Sequence, residues 1–346
     1  MVGASVPTFT FSTPRVFDVQ PPTASTSGLT PAGDRVILNI TGENFGMGGK
    51  VYLHSDPAEN PAVLVELVDL QWTHSWISAE LPAGQGINRR VEVAVAGQST
   101  TDPVTFSYEM PQIVALHPDT STFVRKSDRF PTSGDYKVTI EGSSLGYIDG
   151  GVTVDGRAAV ITRQDHTEMD FTMPSGIGKD LDLIVTVGVS GVSQPFKLSY
   201  DPPRIDYINP FPANAQGQIV KVHGANFGSP GTSSRLQLIV NNENCTEAVV
   251  VKAPEGGNDF ISCELPRQPV GYKNITLSVA KQVVSYINTL VLKTNCKAGF
   301  YGQRGEVCLP CPRGATCAGG DHPTFYEMEA EPVSNECVTT LHPVPT

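Results

Sequence analysis

Ile40-Thr41-Gly42-Glu43-Asn44-Phe45-Gly46 returns far down the chain as Val222-His223-Gly224-Ala225-Asn226-Phe227-Gly228. A catalytic loop is needed once, so a turn that returns marks a structural unit that returns. Between the two lies a third form, Gly142-Ser143-Ser144-Leu145-Gly146, which makes the motif Gly-x-Asn/Ser-Phe/Leu-Gly. Glycine supplies positive φ without a Cβ clash and Asn tolerates the same region, as a strand leaving its sheet in a tight bend requires. The expectation is that the glycines and Asn44 and Asn226 shape the bend. Phe45, Leu145 and Phe227 then fold back as plugs over the end of a core.

Two further landmarks keep step with the turn. The octets Pro14–Pro21, Pro111–Pro118 and Pro203–Pro210 share the form Pro-x-[Val/Ile]-x-x-[Val/Ile/Leu]-x-Pro. Each leads to an alternating segment that runs into the turn: 35–41, 136–142 and 218–224. There Val36/Leu38/Ile40, Val138/Ile140 and Val220/Val222 share one face. After the turn come Ile77–Pro82, "ISAELP", and Ile261–Pro266, "ISCELP", with "MDFTMP" (Met169–Pro174) in the middle. Alternation sends Ile77/Ala79/Leu81, Met169/Phe171/Met173 and Ile261/Cys263/Leu265 inward. Each unit closes on alternating strands, read as "VEVAVAG" then "VTFSY", "LIVTVGV" then "FKLSY", and "ITLSVA" then "VSYINTLVL". Units of roughly 90–100 residues with about seven short strands and no helix signal predict an all-β chain of immunoglobulin-like sandwiches. The Cys…Trp…Cys spacing of antibody domains is missing.

These units resemble IPT/TIG domains, the immunoglobulin-like (E-set) folds of plexins, related receptors and many large surface proteins. The resemblance covers residues 14–295 and rests on the turn, the octet and the "ISCELP" strand. It divides the chain into repeats at 14–110, 111–202 and 203–295, after an orphan strand at 1–13 and before a cysteine-rich segment at 296–346. The middle unit departs most, with Ser-Leu in place of Asn-Phe.

The bulk numbers agree with such an array. The chain has 346 residues, 39% hydrophobic and 17% charged, with 33 Gly and 28 Pro spread along it. A net charge of −11 opposes binding to a phosphate backbone, which excludes nucleic acid as a partner. No stretch approaches the ~18 apolar residues of a membrane helix, so no membrane insertion is expected within this span. No signal peptide is visible at the start.

Seven cysteines crowd toward the end. Cys245 and Cys263 lie in the third unit, where the others carry Ala79 and Phe171 at the place of Cys263. They read as an optional internal bridge closing a loop of about 18 residues, worth ~3 kcal/mol, with two buried thiols as the other reading. Cys296, Cys308, Cys311 and Cys317 fall in a Gly- and Pro-rich stretch too poor in apolar residues for a core, which needs staples. Zinc or a redox pair at Cys308-Leu309-Pro310-Cys311 lacks a second Cys-x-x-Cys, a His pair at metal spacing or a βαβ pattern. The segment resembles the small module of ephrin-type receptors from Cys296 to about Gly320: Cys, Gly-Phe-Tyr-Gly, Cys-x-x-Cys-Pro-x-Gly, Cys. Its connectivity is not readable, and Cys337 is left over. Sequons at Asn39, Asn244 and Asn274 occur about as often as chance allows. Their phase, opposite Leu38 and Ile40, Cys245 and Ile275, places them toward solvent, so N-linked glycans fit there. Together these features point to the extracellular space or the cell surface.

The N-terminal "TFTFSTP" (Thr8–Pro14) resembles the strands that close the first two units. It reads as the end of a preceding repeat in a longer array, or as a strand given to the open edge of another copy. Links of two residues, Glu109-Met110 and Asp201-Pro202, predict a stiff rod on the order of 100 Å.

Catalytic patterns do not emerge: no Gly-x-Ser-x-Gly, His-Glu-x-x-His or P-loop occurs, and the seven histidines are scattered. Neither cofactor nor metal is expected. The reading is a non-enzymatic structural or adhesive protein of a cell-surface fibre, coat or matrix. It works through contacts with other proteins, copies of itself included. The alternatives are the ectodomain of a plexin-like receptor for a protein ligand and an accessory module of a secreted enzyme.

Overall fold

The computed structural model describes residues 10–55, 64–121, 129–189, 191–228, 235–252, 259–287, 291–313, 315–319 and 324–325. Among them every regular element is a strand, apart from a single 3₁₀ residue. They fall into two compact units. One holds Met1–Lys126, Ser133–Pro174 and Asp180–Leu198; the other holds Ser127–Thr132, Ser175–Lys179 and Ser199–Thr346.

The first repeat is a two-layer sandwich. One sheet runs Arg15–Gln20, Ile37–Glu43, Trp76–Glu80, Val68–Trp72. The other runs Thr23–Ala24, Thr105–Tyr108, Arg89–Val95, Lys50–His54, Leu64–Glu66. Alternation along each strand drives one face of each sheet into the core: Leu38, Ile40, Val51, Leu53, Ile77, Val91, Val93 and Phe106 are fully buried. In the second repeat Arg157–Gln164 pairs with Gly150–Val154 through Val152↔Ala159 and with Glu168–Thr172 through Val160↔Thr172. That eight-residue strand passes from one layer to the other, so the two sheets are continuous. The third repeat repeats the first sheet with Arg204–Asn209, Gln218–Ala225, Phe260–Leu265 and Thr246–Val251. All nine positions expected inward at the "ISAELP", "MDFTMP" and "ISCELP" landmarks are buried.

The Pro octet has a structural cause. Its apolar residues are three apart, which in a regular strand would send them to opposite faces. Each octet strand carries a one-residue bulge between them: at Val16/Asp18, Ile113/Ala115 and Ile205/Tyr207. The extra residue restores phase, so Val16 and Val19, and Ile205 and Ile208, all face inward.

One strand reading is corrected. "VSYINTLVL" is not a single closing strand. Gln282–Tyr286 forms a hairpin with Ile275–Val279, and the closing strand is Lys293–Asn295, which pairs in parallel with Ala213–Asn214. The reading ran the second arm of the hairpin on to Leu292, whereas that arm ends at Tyr286; the hairpin itself turns at Ala280 and Lys281, both at positive φ. At the N-terminus residues 10–14 form no strand, and residues 1–9 lie outside the described residues.

Candidate functional site

The repeated turn assembles the most distinctive local structure of the chain. Its plug is deeply buried in every copy: Phe45 0%, Leu145 0% and Phe227 3% exposed. Positive φ belongs to the third and fifth positions: Asn44 63° and Gly46 65°, Ser144 53° and Gly146 70°, Asn226 64° and Gly228 86°. The first glycine has another duty. Gly42, Gly142 and Gly224 lie within the strand, facing the bulge, and none has positive φ. A Cβ there would stand 2.0 Å from Arg15 O, 2.1 Å from Gln112 O and 1.9 Å from Arg204 O. These glycines are required by close backbone approach, which corrects the expectation that they serve the bend.

The third position ties the turn to the chain that leads into its own repeat. Asn44 Nδ2 donates to Thr13 O at 3.2 Å, and Asn226 Nδ2 donates to Pro202 O at 2.8 Å. Ser144 is too short for that reach, and its hydroxyl donates to the Glu109 carboxylate at 3.2 Å.

The turn also receives the repeat before it. Thr26, 1% exposed, lies with its hydroxyl 2.9 Å from His166 Nδ1 and 3.4 Å from the Gly146 N–H. Gln85 Nε2 donates to Ile148 O at 2.9 Å, just past the same turn. Burial lowers the pKa of His166, against the opposing pull of Asp165, which favours the neutral imidazole. In the second unit Thr132 Oγ1 donates to Asn226 Oδ1 of the third turn at 2.9 Å. Thr26-Ser27-Gly28 and Thr132-Ser133-Gly134 thus play one part, and this short repeat in the sequence was the overlooked signal. The third repeat carries Ala215-Gln216-Gly217 there, and Ala215 packs with Val270 and Cys296 at the start of the cysteine-rich segment. A closing tyrosine completes each of the first two repeats. Tyr108 and Tyr200 lie over Gly84 and Gly176, where a Cβ would come within 2.4 Å of either ring.

Cys245 is bonded to Cys263, Cys296 to Cys308 and Cys311 to Cys317. Cys337 lies outside the described residues. Asn39, Asn244 and Asn274 are exposed, on strands or loops that turn their neighbours inward. Among the described residues no group of His, Cys, Asp and Glu is placed to hold a metal ion. Among the described residues the most enclosed carboxylate, Asp170, accepts from Thr139 Oγ1 at 2.6 Å, Arg163 Nε at 3.1 Å and Lys137 Nζ at 3.3 Å, a structural network within the second repeat. Lys273, 2% exposed, has no hydrogen-bond or ionic partner for its ammonium among the described residues, and burial pushes its pKa down to about 8.

Several solved structures are similar at low overall agreement. The full extracellular region of plexin A4, domains 1 to 10, is 17% identical, covers 83% of this chain and 25% of that chain, and has a TM-score of 0.23. The surface glycan-binding protein PbSGBP-B from Prevotella bryantii is 16% identical, covers 51% of this chain and 41% of that chain, and has a TM-score of 0.32. The I9–I11 tandem from titin is 10% identical, covers 82% of this chain and 97% of that chain, and has a TM-score of 0.23. This chain therefore spans a quarter of the plexin chain, and at such TM-scores none of the three likenesses carries an inference. No curated protein matches the chain in sequence. The IPT/TIG domain, by contrast, matches residues 14–108, 112–200 and 203–291, each stretch containing one turn and one plug, and the chain belongs to the IPT/TIG domain family.

Proposed function

We infer that this protein is an extracellular structural or adhesive component, a tandem spacer within a cell-surface fibre, coat or matrix, acting through protein–protein contacts. The observation that carries the reading is the turn's double use. One motif closes a sandwich, pins the chain leading into it and receives the threonine of the repeat before. Side chains are spent on holding neighbours together. Three disulfides suit an oxidising compartment, and short sandwiches of this family make contacts with other proteins. Glycans at Asn39, Asn244 and Asn274 belong to the same proposal, since all three side chains are exposed.

The test is localisation and assembly of the native protein. Antibody labelling of unpermeabilised cells, followed by immunogold electron microscopy, should place the chain in an extracellular fibre, coat or matrix. Label confined to the cytoplasm would overturn the extracellular reading. Label on isolated membrane-anchored molecules, displaced by a soluble protein ligand, would establish the receptor alternative instead.

A further inference from the structure

The outer face of the third repeat's first sheet carries a feature absent from the other two. Tyr207 pairs with His223, and His223 with Phe260, so three rings stand in register on adjacent strands. Tyr207 and His223 stack with centroids 4.5 Å apart and planes 11° apart, and His223 lies 5.5 Å from Phe260. Lys221 Nζ sits 5.2 Å from the Phe260 ring centroid. The core lies on the opposite face, with Val220, Val222 and Ile261. At the same lattice points the first repeat has Asp18, Thr41 and Trp76, and the second has Ala115, Glu141 and Glu168. The scaffold therefore does not require rings there.

Arg204–Asn209 is the edge strand of this sheet, and Tyr207 on it is 55% exposed. His223 stacks on one face of the phenol ring, and no strand of this sheet lies beyond Arg204–Asn209 on the other side. The stack behind it holds the ring upright in advance, so a ligand that adds to the end of the row meets a preorganised surface. A second row lies beside the rings. Asn209, Lys221 and Ser262 are in register with one another, two residues along the strands and about 7 Å away.

We propose that this edge is a carbohydrate-binding site, with a pyranose ring stacked on the outward face of Tyr207 and its hydroxyls met by Asn209 on the same edge strand. A pyranose combines one apolar C–H face with a rim of hydroxyls, which is the pairing of surfaces displayed here. A folded partner or a second copy needs about 800 Å² from each side, more than three part-covered rings and three polar side chains supply. Nucleic acid, which also stacks on rings, is opposed by the net charge of −11.

The full chain, ¹⁵N-labelled, is titrated with cellohexaose, chitohexaose and maltohexaose while the amide signals of Tyr207, Lys221, His223 and Phe260 are followed. Saturable shifts at these four with at least one hexaose are expected. Tyr207→Ala should weaken that binding about tenfold or more with an unchanged melting temperature, since the side chain is outside the core. Asn209→Ala, which keeps the rings in place, should weaken it by a smaller factor. Absence of shifts with all three sugars, or equal affinity in Tyr207→Ala, overturns the proposal. So does a sedimentation experiment in which Tyr207→Ala abolishes self-association while sugar binding stays undetectable.

Discussion

Gly42 and Gly48 are six residues apart, and the difference between them shows what one hydrogen atom in place of a methyl group decides. A Cβ on Gly42 would meet Arg15 O at 2.0 Å and the Phe45 ring at 2.4 Å, whereas Gly48 has nothing within 4 Å. Gly42→Ala should destabilise the first repeat by about 2–3 kcal/mol, because both the octet strand and the plug must move. Gly48→Ala should be close to neutral, and urea unfolding of the two variants side by side checks the contrast. Lys273 supplies the opposite case, a residue whose removal helps. The side chain is buried with no counter-charge among the described residues, so Lys273→Met should raise the stability of the third repeat at pH 7 by about 1–3 kcal/mol. The pH dependence has a definite sign. The folded pKa, about 8, lies below the ordinary 10.5, so the unfolded chain binds more protons between these values. Stability of the natural protein should therefore rise from pH 8 to pH 10.5, and this rise should be absent in Lys273→Met.

At the scale of elements, the octet strand and the "ISCELP" strand were readable because each is a fixed register of apolar residues. The bulge was not readable as such. It shows in the sequence only as a spacing of three, whose meaning depends on the partner strand it faces. The disulfide between Cys245 and Cys263 belongs to this scale too. It joins the start of the Thr246–Val251 strand to Phe260–Leu265, neighbours in one sheet, across 18 residues. Replacing both cysteines by Ala should cost the third repeat about 3 kcal/mol, read as a lower denaturation midpoint for that repeat with the first repeat unchanged. An unchanged midpoint would show that the bridge closes a loop already ordered in the unfolded chain.

For the whole molecule the joint between the first two repeats is the testable element. Thr26→Val keeps the shape of the side chain but removes the partner of His166 and of the Gly146 N–H. Loss of these bonds in a buried setting should weaken the coupling by about 1–3 kcal/mol, seen in calorimetry as separation of one cooperative transition into two. The natural joint should loosen in acid as well. The folded pKa of His166 lies below its ordinary 6.5, so the stabilising neutral form is lost as pH falls through that window. Thr26→Val should reduce this acid response, and a full response in the variant would show that His166 acts elsewhere.

The sequence by itself determined the number of sandwiches, the inward faces of their strands and the place of each turn. Those follow from the two-residue period of a strand and from the few residue types that accept positive φ, and both are local. Tertiary structure decided what the local pattern cannot contain. Gly42, Gly142 and Gly224 proved to be contact glycines because the octet strand passes about one methyl radius away. Thr26 and Thr132 proved to be joint residues because the next repeat brings a turn to them. Tyr207, His223 and Phe260, far apart in the chain, became one row because antiparallel pairing sets them side by side. Each is a meeting of distant segments, and a sequence records the spacing of neighbours along the chain but not the distances that open up or close when the sheets form.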